Sequence, residues 1–130
     1  FYKKKIKIKY DCDIRNEKAE KIVNTFVTNW KIIESTAKEN NIKFLPILQP
    51  SVFSSKLFDN NPPLDLEMKK QYDLIYSMIK IAMKRKNFDY LDLSEELDES
   101  KENFFIDFGH LSHNANNKIA NRISKHLGLN

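Results

Sequence analysis

The chain reads as an α/β protein with a mainly parallel sheet between helical layers. Three observations carry that expectation. Long stretches repeat apolar residues at three- and four-residue steps, the pattern of amphipathic helices. Two short apolar runs, 42–48 and 88–92, fall between those stretches. The order helix, strand, helix, strand, helix is the alternation of βαβ units. With 130 residues and 41% hydrophobic content, the chain suffices for one domain, 1–130, with a packed core. Two short strands are few for such a sheet, which usually has about four to six. Phe1 stands where a start methionine would be. The expectation is therefore the C-terminal portion of an α/β domain.

The elements follow in order. Ile6, Ile8 and Tyr10 alternate with Lys5, Lys7 and Lys9, which predicts a half-exposed edge strand or arm within 1–15. From 16 to 40, Ala19, Ile22, Val23, Phe26, Val27, Trp30, Ile33 and Ala37 mark the inner stripe of a helix. Asn40-Asn41 is its expected stop, because Asn tolerates the left-handed conformation. The run 42–48 reads as a strand buried on both faces, complicated by Pro46, which cannot donate to a ladder. Residues 51–65 form a Ser-, Asn- and Pro-rich loop. A second helix spans about 65–86 with Met68, Tyr72, Ile75, Ile79, Ala82 and Met83 inward. A short strand, 88–92, and a helical turn, 94–97, precede the last helix. Ser112 caps that helix, Ala115, Ile119, Ala120, Ile123 and Leu127 face inward, and Gly128 ends it.

Composition excludes several functions. Only two glycines occur, Gly109 and Gly128, where an average chain would hold about nine. A Walker loop, a GxGxxG dinucleotide loop and a GxSxG elbow are thereby ruled out within these residues. The net charge of +4 is local: Lys3, Lys4, Lys5, Lys7 and Lys9 lie in the first ten residues, and the rest is nearly balanced. Nucleic acid is therefore not an expected partner. Cys12 is the single cysteine, a structural thiol in expectation. No apolar run approaches the ~20 residues of a membrane span, and no signal peptide is recognisable.

Asp107 and His110 stand three residues apart, just before the last helix. At that spacing the carboxylate can accept from imidazole Nδ1–H, which fixes the tautomer and leaves Nε2 as a base. Gly109 between them suits a tight backbone. His113 extends the pattern to D-x-x-H-x-x-H, and a carboxylate with two imidazoles also suits a zinc or iron ion.

The stretch FFIDFGHLSHNANNKIANRISKHL resembles the closing block of the SGNH (GDSL-type) hydrolases, an apolar approach to Asp-x-x-His followed by a capped helix. NIKFLPILQPSVF is similar to that family's later strand, residues 30–40 to the helix feeding it, and Phe88 to Ser94 to the segment before the Asp-x-x-His block. The resemblance covers about 17–127. It implies a three-layer αβα fold of flavodoxin-like type and ester hydrolysis through an acyl-enzyme, on a small-molecule or glycan ester, without a cofactor or metal. Asp107 would orient His110, and His110 would act as general base and then acid. Gln49, at the carboxyl end of a strand, would line the substrate pocket. The family's Gly-Asp-Ser nucleophile block and its oxyanion donors have no counterpart here. Ser51, Ser54, Ser55, Ser94 and Ser112 all read as loop or cap residues. A missing N-terminal half would have to complete the site. The other reading is a non-catalytic α/β binding module or inactive homologue with a basic N-terminal arm.

Overall fold

The computed structural model describes residues 10–55, 65–98 and 104–129. The expected Lys-rich strand falls on residues 3–9 and the centre of the long loop on 56–64, both outside the described residues.

Three helices dominate: α1 (Asn16–Glu39), α2 (Leu66–Arg85) and α3 (His113–His126). Two two-residue strands, β1 (Ile47–Leu48) and β2 (Leu91–Asp92), lie between them. They pair in parallel, Ile47 opposite Leu91 and Leu48 opposite Asp92. The expectation of a three-layer αβα architecture on a mainly parallel sheet is therefore overturned. Among the described residues the only sheet is this two-stranded one, and more than half of those residues are helical.

The physical reason lies in the ends of β1. Pro46 contributes only its carbonyl, which accepts from Leu91 N–H at 2.9 Å, and it has no N–H to carry pairing backward. Pro50 stops pairing forward two residues after Leu48. The apolar run 42–48 thus supplies two paired residues instead of seven, and Ile42 is exposed.

All three helices end on local signals and two of them begin on one, whereas Arg15 gives α1 no side-chain cap. The Asp65 carboxylate accepts from the N–H groups of Glu67 and Met68 at the start of α2. The Ser112 hydroxyl accepts from Ala115 N–H at the start of α3, as expected. Asn41, Asn87 and Gly128 follow the three helices with φ of 56°, 47° and 68°. The next N–H in each case, on Ile42, Phe88 and Leu129, donates to Ala37, Met83 and Ser124 at 2.8, 3.0 and 2.9 Å. These are Schellman closures, which need a residue in the left-handed region.

α1 packs on α2. Val23, Val27, Leu48, Ile79, Met83 and Phe88 form one core, with Trp30 against Phe26, Phe88 and Tyr90 at its edge. The inner stripe of α1 is narrower than the pattern suggested. Ala19, Val23 and Val27 are buried, whereas Ile22 and Ile33 are exposed, because α2 covers α1 from one side only. Cys12 is buried and free, and its N–H donates to the side-chain oxygen of buried Gln71. That amide also donates to exposed Asp13, a polar link between the segment before α1 and α2.

The second core contains Val52, Phe53, Leu97, Phe104, Phe105 and Ala115. It joins the turn after β1, the turn after β2 and the start of α3. On α3 only Ala115 is buried, Ile119 and Ile123 are half-buried, and Ala120 and Leu127 are exposed. No helix among the described residues is long and apolar enough to cross a membrane.

Candidate active site

Residues 104–112 form a closed loop. Phe105 and Leu111 make an antiparallel bridge at its neck. Ile106 N–H donates to the His110 carbonyl and Ser112 N–H to the Phe104 carbonyl, both at 2.8 Å. Phe104 and Phe105 anchor the neck in the second core, while Ile106 and Phe108 at the tip are exposed.

The tip holds Asp107 and His110. Asp107 Oδ1 accepts from the backbone N–H groups of Gly109 at 2.9 Å and His110 at 2.8 Å. Its other oxygen, Oδ2, lies 2.7 Å from His110 Nδ1. A carboxylate can only accept, so with neutral imidazole the proton sits on Nδ1 and Nε2 presents a lone pair. The spacing expected from D-x-x-H is therefore realised as hydrogen-bonded contact. The His110 side chain is 79% exposed, so the described residues leave Nε2 open to solvent and do not enclose it.

The bonds also set the charge of the site. The Gly109 N–H, the His110 ring and the His110 N–H, in that order, favour the ionised carboxyl and hold Asp107 down to about 2. A depressed folded-state value means that the contribution of this contact is present above the ordinary carboxyl range, about 3.9, and is lost as pH falls through about 2. Carboxyl carbon NMR should accordingly give Asp107 a midpoint near 2, with the Gly109 and His110 amide shifts following the same curve. A midpoint near 4 would mean that the three bonds do not persist in solution.

Gly109 is not sterically demanded. A Cβ built there meets nothing within 4 Å, and its φ lies outside the left-handed region. The role assigned to it from sequence, keeping a tight turn clear, is not required by the described surroundings.

Gln49 directly follows β1 and is exposed. Its carbonyl accepts from Tyr76 Oη at 3.1 Å. Burial, with nearby Tyr72 and Asp92, pushes the Tyr76 hydroxyl up to about 12, so it remains a donor. Two residues further on, the Ser51 hydroxyl meets the Phe108 carbonyl at 3.3 Å. The carboxyl end of β1 and the dyad loop are thus brought together.

Each serine considered as a nucleophile is engaged elsewhere. Ser51 bonds Phe108, Ser54 bonds Ser51, Ser55 bonds Asp98, Ser94 bonds Asp92, and Ser112 caps α3. His113 opens α3, and its Nε2 lies 3.1 Å from the Asn117 amide. Among the described residues, no three His, Cys, Asp or Glu side chains gather as a metal site. Comparison of the chain with protein-family models, with curated proteins and with solved structures finds no match.

Proposed function

We propose that this chain supplies the histidine and aspartate of a serine ester hydrolase of SGNH type. The observation that carries the reading is the 2.7 Å contact between Asp107 Oδ2 and His110 Nδ1, with the imidazole edge bearing Nε2 exposed. In this reading the serine comes from outside the described residues.

The chemistry follows from the tautomer. Nε2 takes the proton of the serine hydroxyl as its oxygen attacks the ester carbonyl carbon. The imidazolium that forms is stabilised by the Asp107 carboxylate beside it. Nε2–H then protonates the leaving alkoxide as the carbon–oxygen bond breaks, which leaves an acyl-serine. Water, deprotonated by the same nitrogen, releases the acid and restores the serine. No cofactor enters these steps. Exposed Ile106 and Phe108 flank the dyad and offer an apolar surface to an acyl group.

The test is hydrolysis of p-nitrophenyl acetate by the native polypeptide that carries these residues. His110→Ala should lower kcat by about 10⁶-fold, the loss typical when the base of such a triad is removed. The residue is exposed, so the far-UV circular dichroism and melting temperature should hardly move. Turnover that survives the substitution would remove His110 from the reaction and the reading with it.

A further inference from the structure

We propose that Ser51 is a positioning residue for the Asp107–His110 dyad, acting through the peptide unit that joins Phe108 to Gly109; the inference rests on the ester-hydrolase reading above. Ser51 is 3% exposed and lies just past β1, 57 residues from Phe108 in sequence. Its hydroxyl donates to the Phe108 carbonyl at 3.3 Å and accepts from Phe53 N–H at 3.2 Å. Val52 N–H donates to the same carbonyl at 3.3 Å. One buried turn therefore grips a single carbonyl oxygen with two donors.

That carbonyl belongs to a planar unit whose other end is Gly109 N–H. The Gly109 N–H donates to Asp107 Oδ1 at 2.9 Å. Peptide planarity makes the two directions one variable. Holding the carbonyl toward Ser51 aims the N–H at the carboxylate. The carboxylate, held by Oδ1, then turns Oδ2 onto His110 Nδ1. The exposed dyad thus receives its orientation from a buried hydroxyl that touches neither member.

The turn is itself braced. Ser54 Oγ accepts from Ser51 N–H and donates to the Ser51 carbonyl, both at 3.0 Å. The Phe53 and Phe108 rings, 6.2 Å apart, close the same junction from the apolar side. Ser51 reads from sequence as an ordinary loop residue. Its partner is distant in the chain, so no local pattern reveals the contact.

The experiment uses the full chain uniformly labelled with ¹⁵N. Long-range proton–nitrogen spectra report the tautomer of His110, and His113 and His126 serve as internal references. Ser51→Ala should shift His110 from the Nδ1–H form toward the Nε2–H form favoured by free imidazole. It should also raise Gly109 amide exchange roughly tenfold, the loss of about one hydrogen bond. Ser51→Thr, which keeps the hydroxyl, should restore both within about twofold on the same basis. An unchanged tautomer in Ser51→Ala overturns the proposal, as does an equal loss in Ser51→Thr. Should Ser51→Ala fail to fold, wild-type exchange decides. Val52 and Gly109 amides held by one peptide unit open together at a common rate, and a Gly109 amide exchanging as a free loop refutes the grip. None of these readouts involves turnover. A correctly oriented His110 that is dispensable for ester hydrolysis would remove the hydrolase reading alone.

Discussion

On the ester-hydrolase proposal, exchanging Asp107 for asparagine should lower turnover about 10⁴-fold while leaving the shape of the loop intact. The direction follows from which oxygen does what. Oδ1 receives two backbone N–H donors, and Oδ2 receives the ring. An asparagine must place its carbonyl oxygen at the Oδ1 position, since an amide NH₂ there would face two donors. Its NH₂ then points at His110 Nδ1, which must become an acceptor. The ring proton moves to Nε2, and the base needed for serine attack is gone. The barrier rises by about 5 kcal/mol, the equivalent of that rate loss. KM should change little, because nothing that faces substrate is removed. Steady-state kinetics measure the rate, and the imidazole nitrogen spectrum measures the inversion of the tautomer separately. A kcat within tenfold of wild type, with the tautomer inverted, would mean that the histidine does not act as the base.

Replacing Phe104 by alanine removes about 3–5 kcal/mol of stability, a large part of the ~5–15 kcal/mol typical of a domain. Phe104 is among the largest fully buried side chains, 2% exposed. It joins the second core, its carbonyl accepts from Ser112 N–H, and Lys118 Nζ stands 5.0 Å from its ring centre. Truncation leaves a cavity at the neck of the dyad loop and beside the cap of α3. In thermal denaturation the midpoint should fall by roughly 15 °C or more. Phe108→Ala, at the exposed tip of the same loop, should cost far less. A Phe104→Ala protein as stable as Phe108→Ala would show that the loop is not rooted where the packing places it.

The parts of this molecule legible in sequence are those decided within a few residues. The helices came out within a residue or two, because Ser112 caps and Asn41 and Gly128 terminate by contacts three to five positions away. The dyad was legible for the same reason, since Asp107 reaches its three donors inside one turn. The sheet was not. Strand pairing is decided by a distant partner, and an apolar run such as 42–48 looks alike whether paired or not. The over-wide stripe on α1 has the same origin: periodicity marks Ile22 and Ile33 as apolar but not which neighbour covers them. Gln71 is the opposite case, a polar residue in mid-helix that is buried because its partners, Cys12 and Asp13, lie 59 and 58 residues away. Ser51 is of the same kind, since its partner Phe108 lies 57 residues away.

The three helix stops bear on the unfolded chain as well as the folded one. Glycine adopts positive φ without strain, but an unfolded glycine also ranges over more backbone conformations than any other residue. Two of the three stops here use Asn instead, at φ of 56° and 47°. Each accepts some crowding of its Cβ in the native state. In return the denatured ensemble is narrower at that position, an effect of about 0.4–1 kcal/mol where the native conformation is tolerated. A chain with two glycines in 130 residues therefore loses less backbone entropy on ordering than its length alone implies.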